Sequence, residues 1–430
     1  MKRLTAVKSL SVAAALTITL AACSGADGDE GAEENGGDQA ASADPADVEG
    51  SVTFWSYPIG VTGEGNWWGE HVDAFNEIYP NVDVEVVIQP WTNREETLVT
   101  SIAGGQAPDV VYFNPDFIPK FAEEGVLTPM DEVADLDAFV PSSLDAMTWD
   151  DTVYSVPLLM QIQTSYCNTE VLAAAGVEKC PTTWDELAEA GPAVKEAGHY
   201  LTEYTAALGM TLNHTFYAYL WQAGGEVLSE DNTEATFNGP EGLEALEFIK
   251  QMVDEGWVPE QALTVNDPFE QTAAGREEVA YMMGANLTTT REVVNPDVIE
   301  VVPPMTGKEQ VSTGSVGGLS IFNTAESPEA AEAWVEYVTG AEFMKTFIEE
   351  TGYLPPRTDV TGLFEDDPQI AGGLEYLDTV RVGVMHPSAR QLIDTISPHI
   401  QAVLLGQVEP QAGLDAAAAE VDEILARSGS

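Results

Sequence analysis

Three cysteines, five histidines and 72 acidic residues are the groups in this chain able to attack, coordinate or move protons. The histidines (His71, His199, His214, His386, His399) show no HxxxH or similar ligand spacing, so no metal is expected. No GxSxG elbow presents a serine nucleophile, and no GxxxxGKS/T loop cradles a phosphate. Gly63-Glu64-Gly65-Asn66-Trp67-Trp68-Gly69 misses GxGxxG by one residue and has Trp where a helix would have to meet phosphate. Acids are so abundant that a hydrolytic carboxylate pair could fall in any cleft by chance, so they carry no argument for catalysis. No enzyme and no cofactor are expected. What remains is recognition chemistry: 9 Trp and 13 Tyr supply flat apolar faces, and Asn, Gln and His side chains both donate and accept.

Cys23 stands apart from the other two cysteines. Lys2, Arg3 and Lys8 precede an apolar run over 10–20, which is shorter than the roughly 20 residues a membrane-spanning helix needs and reads as an export signal over 1–22. Leu20-Ala21-Ala22-Cys23 resembles a bacterial lipobox, in which the cysteine becomes the lipidated first residue of the mature chain. Two or three acyl chains there would hold the protein on the outer face of the cytoplasmic membrane. Residues 24–50 contain no aromatic and no basic residue, so 23–50 is expected to be a disordered acidic linker. In an exported chain Cys167 and Cys180 form an even pair, expected to be disulfide-bonded; a loop of about 14 residues contributes about 3 kcal/mol.

With 16 Lys and Arg against 72 Asp and Glu, the net charge is −56. Such a field repels phosphate backbones, which excludes nucleic acid, and is compatible with neutral or cationic ligands. Beyond residue 50 about 380 residues remain, too many for one core, so two or three domains are expected. Strand-like runs at 52–55, Val82–Ile88, 109–113 and 298–302 alternate with helical stretches at Trp184–Glu196, 242–255, 330–338 and 414–425. Thr183 is placed as the N-cap of the first of these helices, and Ser327-Pro328-Glu329 starts another. This is α/β ordering. Trp184, Trp334 and Trp55 read as core, whereas Trp67 and Trp68 are undecided.

Several strings, in order, resemble the extracellular solute-binding proteins of bacterial ABC importers, particularly the maltose and sugar-binding group. They include 75–84, Gly104-Gly105-Gln106-Ala107-Pro108-Asp109-Val110, Tyr154-Ser155-Val156-Pro157 followed by Tyr166-Cys167-Asn168, and Pro181-Thr182-Thr183-Trp184-Asp185-Glu186-Leu187. Gly224-Gly225-Glu226, Gly317-Gly318-Leu319-Ser320-Ile321 and Gly352-Tyr353-Leu354-Pro355-Pro356-Arg357 extend the match to nearly the whole mature chain. The resemblance implies an α/β, two-lobed periplasmic-binding-protein-like fold of type II with the ligand cleft between the lobes. The N-terminal lobe would take 51–160 plus 304–360 and the C-terminal lobe 161–303 plus 361–430. Crossings are expected near 160–164, near 302–306 and after Arg357.

The same resemblance implies ligand contacts from Tyr57, Phe113, Asn114 and Asp116 in the first lobe and from Gln161 at the first crossing, with Trp91 as a further candidate contact. From the second come His214, Tyr217, Asn286 and His386, with Arg390 beside it, and Arg357 is placed at the third crossing. Asn286 stands where many members carry Trp, and Val316 where an aromatic is common, so stacking is thinner than usual in the second lobe. The implied function is capture of a neutral sugar or oligosaccharide by a monomeric, lipid-anchored protein that delivers it to permease subunits. The alternatives are a non-sugar solute (polyamine, polyol or peptide) or a secreted glycoside hydrolase.

Overall fold

The computed structural model describes residues 44–63, 66–91, 93–364, 366–376 and 379–428. The signal segment and Cys23 lie outside the described residues. Packed structure already includes a 3-10 turn at Pro45–Asp47 and the buried Val48, ahead of the residue-51 start expected from composition, because Val48 joins the first core and Asn81 donates to the Ala46 carbonyl (2.8 Å).

Strand β1 (Gly50–Ser56) turns Val52, Phe54 and Ser56 inward and pairs in parallel with β2 (Val82–Ile88) and with the short, wholly buried β3 (Val110–Phe113). Asp150 and Asp151 adopt positive φ (49° and 59°) to join β4 (Thr148–Trp149) to β5 (Thr152–Val153), as a tight two-residue hairpin requires. Next, β6 (Val156–Ile162) runs into β7 (Thr164–Asn168), the centre of a second sheet completed by β8 (Tyr200–Thr202), β9 (Val279–Ala285) and β10 (Ile299–Val302) in the order β10-β7-β9-β8. The chain then returns through β11 (Ser312–Ile321), antiparallel to both β3 and β6, and β12 (Val380–Arg381), parallel to the start of β11.

Each sheet has its own core. Phe54, Phe75, Phe121, Phe322 and Trp334 pack the first, while Leu187, Tyr219, Ile249, Leu392 and Val421 pack the second. Trp68 sits edge-on to Phe54 (5.1 Å), and Trp67 donates through Nε1 to Glu350 (2.5 Å), so both belong to the first lobe's packing. Trp184 stacks on Phe248 (4.6 Å) and donates to Gln222. Its helix Trp184–Glu196 is capped twice over, since Thr183 accepts from the Glu186 N–H and Glu186 accepts from the Thr182 N–H. The Thr182 N–H and hydroxyl, both donating to it, hold the Glu186 carboxyl below its ordinary pKa. Cys167 and Cys180 are joined, their Cα atoms 5.9 Å apart, tying β7 to the loop that feeds this helix.

Among the described residues, three segments pass between the cores. Gln163 separates β6 from β7. Met305 and Val311 belong to the second core, and Thr306 exchanges backbone bonds with Thr182 and Trp184, so the chain stays with the second lobe up to Val311, past the crossing near 302–306 that the family resemblance implies. After Arg357 the chain still serves the first lobe: Val360 lies in that core, β12 extends its sheet and Val382 packs against it, whereas Val384 packs on the second. The third passage falls at Gly383, whose φ of 116° is open to glycine, with Asn213 Nδ2 2.6 Å from where a Cβ would stand. Which core an apolar side chain fills decides where the chain changes lobes.

Candidate functional site between the lobes

The first-lobe wall is organised by Arg94, in the first turn of the helix Arg94–Ala103. Only 6% exposed, its guanidinium lies between the rings of Tyr57 (4.1 Å) and Phe117 (4.3 Å), donates to Asn114 Oδ1 (2.7 Å) and also donates to the Tyr112 carbonyl. Asn114 Nδ2 in turn donates to Ser315 Oγ (3.2 Å) on β11. One cation therefore fixes the chain ends that follow β1 and β3 against β11, and the aromatic faces partly replace its lost hydration. Trp91 stacks on the outer face of Tyr57 (4.8 Å, 22° between planes), is anchored by Nε1 to the Pro58 carbonyl and remains 46% exposed. Burial raises the Tyr57 hydroxyl pKa more than Arg94 lowers it.

Several contacts cross the seam, among them a bidentate pair between Arg291 of the second lobe and Asp367 of the first (2.5 and 3.2 Å). Asp116 Oδ2 meets Arg390 Nε at 3.1 Å, and Arg381 makes a two-pronged pair with Glu226 (2.6 and 3.1 Å). His214 Nδ1 lies 2.9 Å from Thr313 Oγ1 on β11, and Asn213 donates to the Val382 carbonyl. Burial pushes the His214 pKa down to about 4, so the imidazole is neutral near pH 7. Gln161 on β6 and Asn286, just beyond β9, line one small cavity of about 30 Å³ together with Thr288 and Tyr353. A space of that size admits a water molecule or two, so anything larger enters only if the lobes part. On the second-lobe side a cavity of about 340 Å³ opens at the carboxyl ends of β8 and β9, lined by Glu203, Tyr204, His214, Tyr219 and Phe269.

The structure thus brings Tyr57, Trp91, Asn114, Asp116, Gln161, His214 and Asn286 to the seam or the wall behind it, with Tyr57 itself covered by Trp91 and Arg94. Four expected contacts are placed elsewhere. Phe113 is 0% exposed and stacks with Phe117 (5.5 Å) and Phe121 (5.3 Å), because β3 is covered on both faces and its last side chain points into the core. Tyr217 is likewise fully buried in the second core. Arg357 is taken up within the first lobe by a bidentate pair with Asp359, the Thr339 carbonyl and the ring of Phe139. His386 is buried, burial lowers its pKa, and its Nδ1 accepts from the Ser388 N–H at the start of the helix Ala389–Leu404, so its role is to shape the turn that presents Arg390.

Sequence reasoning passed over Arg94, Thr313, Ser315, Glu203 and Tyr204. For Arg94 a signal existed: a cation in the first helical turn opposes the helix dipole, beside Glu95 and Glu96 that suit it, and a placement of that kind calls for a partner outside the helix.

A family model described as bacterial extracellular solute-binding protein matches residues 60–345. Similar proteins include a putative binding protein of Brucella abortus, 23% identical over 399 residues that cover 90% of this chain and 95% of that protein. A maltotriose-binding protein of Pyrococcus abyssi is 26% identical over 299 residues (67% and 62%), and an arabinooligosaccharide-binding protein of Halalkalibacterium halodurans is 24% identical over 353 (75% of each). Among solved structures, a solute-binding protein of Thermotoga lettingae bound with α-D-tagatose superposes with a TM-score of 0.76 at 24% identity, covering 87% of this chain and 99% of that one. The GacH receptor of Streptomyces glaucescens, solved unliganded and with acarbose, gives 0.76 at 22% identity, covering 88% and 99%. These likenesses show the fold, two α/β lobes of the periplasmic-binding-protein kind, and the two cores, the three passages at the seam and the matched family model agree in placing this chain in the bacterial extracellular solute-binding protein family.

Proposed function

We propose that the protein is the substrate-binding subunit of an ABC importer that captures a sugar or oligosaccharide between its lobes and hands it to membrane-spanning permease subunits. The observation that carries this reading is the meeting of hydrogen-bonding side chains from opposite sheets: Gln161 with Asn286 around one cavity, and His214 against Thr313. A solute held there touches both lobes, and amide and imidazole groups that donate and accept suit hydroxyls, with the exposed indole of Trp91 as a flat apolar face nearby. The ligand favours the closed arrangement by its differential affinity for it, and closure is what a permease can read. Relatives that bind maltotriose and arabinooligosaccharide support the saccharide class.

In this reading the chain is exported, acylated at Cys23 and held as a monomer at the outer face of the membrane, and it releases its ligand unchanged. The experiment is a thermal-shift screen of the mature chain against saccharides, polyols, peptides and amines, followed by calorimetry. Binding at a hundredfold excess over Kd stabilises by about 2.7 kcal/mol, which moves the midpoint by a few degrees. A response to a small set of related saccharides supports the reading. No response to any saccharide overturns it, and new reducing ends appearing from an oligosaccharide would make the protein a hydrolase.

A further inference from the structure

Arg94 lies behind the seam and lines neither cavity described above, yet each of its partners leads to a contact that reaches the seam. Asn114, which accepts from it through Oδ1, has both ends of its amide engaged within the first lobe: its Nδ2 donates to Ser315 Oγ (3.2 Å) and lies 3.4 Å from the Val316 carbonyl. Ser315 stands directly opposite Gln161 in the β11–β6 pairing, so the two side chains share a face with about 5 Å between their Cβ atoms. Side chains alternate along a strand, which puts Thr313 on that face as well, and Thr313 meets His214 of the second lobe at 2.9 Å. Gly317 continues the row; Tyr112 Oη lies there too close for any Cβ, and the Tyr112 carbonyl is the other acceptor of Arg94. The Arg94 guanidinium also seats the ring of Phe117 (4.3 Å), over which Arg390 arrives from the second lobe (5.7 Å).

Stability is a weak reason for such a group. Desolvation works against a buried cation, and the Arg94 Nε hydrogen has no acceptor among the described residues. An apolar side chain could fill the same volume. What it could not do is fix direction: the planar fork holds two acceptors and two ring faces in one arrangement, and that arrangement sets where Asn114 and Phe117 stand.

We propose that Arg94 is a positioning residue for solute capture: through Asn114 and Ser315 it sets the places of Gln161 and Thr313, and through Phe117 that of Arg390, without itself touching the solute. The inference rests on the saccharide reading above and deepens it.

Stability and positioning separate in a comparison of Arg94→Met with Phe113→Leu, a core variant of the same lobe, on the full mature chain. Three quantities are measured: the urea midpoint, the radius of gyration of the unliganded chain, and Kd by calorimetry for the saccharide that gives the largest thermal shift in the screen. Both variants unfold at lower urea. Arg94→Met raises Kd at least tenfold and enlarges the radius, whereas Phe113→Leu leaves Kd within about threefold and the radius unchanged. Ser315→Ala removes one hydroxyl from the path and keeps the cation; it raises Kd about fivefold, and its effect does not multiply with that of Arg94→Met. Effects that multiply in full overturn the path through Ser315. A Kd within threefold of the parent in Arg94→Met overturns the inference while the saccharide reading stands. If Arg94→Met does not fold, Ser315→Ala decides, and a Kd within twofold of the parent overturns the inference. If the parent binds no saccharide, the saccharide reading falls and the radius decides alone: larger in Arg94→Met, the positioning role stands, and unchanged, it falls too.

Discussion

Asp116 Oδ2 and Arg390 Nε lie 3.1 Å apart across the seam, joining the turn after β3 in the first lobe to the first turn of the helix Ala389–Leu404 in the second. Arg390 also lies over the ring of Phe117 (5.7 Å), which Arg94 approaches as well (4.3 Å). Arg381–Glu226 fastens the lobes at a second point and Arg291–Asp367 at a third. Arg390 and Arg381 are about half exposed, so each of their two pairs contributes well under 1 kcal/mol.

The double variant Arg390→Gln with Arg381→Gln therefore opens the unliganded protein without unfolding it. Small-angle scattering should show a larger radius of gyration, and the unfolding midpoint should change by less than about 2 °C. An unchanged radius of gyration would mean that the ion pairs follow closure and do not help to set it.

Gln161→Ala and Asn286→Ala each remove hydrogen-bonding capacity from the same cavity. Each substitution is expected to weaken saccharide binding about tenfold, near 1.4 kcal/mol, while Phe113→Leu, in the core, acts on stability and leaves affinity within about threefold. Calorimetry on the ligand found by screening decides; if both Ala variants bind within about threefold of the parent, the cavity is not the site.

Arg94→Met leaves Asn114 Oδ1 and the Tyr112 carbonyl without their donor while keeping the volume between Tyr57 and Phe117 filled. The expected cost is about 1–3 kcal/mol in urea unfolding. Arg94→Lys is no rescue, because a point charge cannot reproduce the planar fork or stack on two rings. A variant as stable as the parent would show that the buried cation is dispensable to the first-lobe wall.

His214 gives stability a pH dependence with a definite sign. Its pKa is lowered from 6.5 to about 4 by burial, so between these values the unfolded chain binds the proton and the folded chain does not. The contribution is complete above about pH 6.5 and is lost progressively as pH falls toward 4. Many carboxylates titrate in the same range, so the measurement is the difference between the parent and His214→Gln. That difference should shift in the variant's favour as pH drops from 7 to 4, and a constant difference would contradict the burial argument.

Reducing Cys167–Cys180, or replacing both residues with Ser, frees a loop of sequence separation 13. The expected loss is about 3 kcal/mol, visible as a lower midpoint of chemical unfolding in dithiothreitol. Equal midpoints with and without reductant would show that the loop is held by its packing alone.

Local strings were enough for much of this molecule. The alternation at Val82–Ile88, the Thr183 cap with Glu186, the pairing of Cys167 with Cys180 and the α/β ordering are each written within a few neighbouring residues, where propensity and periodicity act. The family resemblance followed from the same strings, and the family model confirms it. Tertiary structure alone decided which side chains reach the seam. Phe113 and Asn114 are adjacent, yet one enters the core and the other meets Ser315, 201 residues away, because the end of β3 and its register with β11 set their directions. The expected roles of Tyr217 and Arg357 failed for the same kind of reason: burial and partners from distant segments are invisible to spacing. The passages at Val311 and Gly383 were hidden too, since lobe membership is a property of which core an apolar side chain can fill, and that depends on the whole packed arrangement and not on the residues beside it.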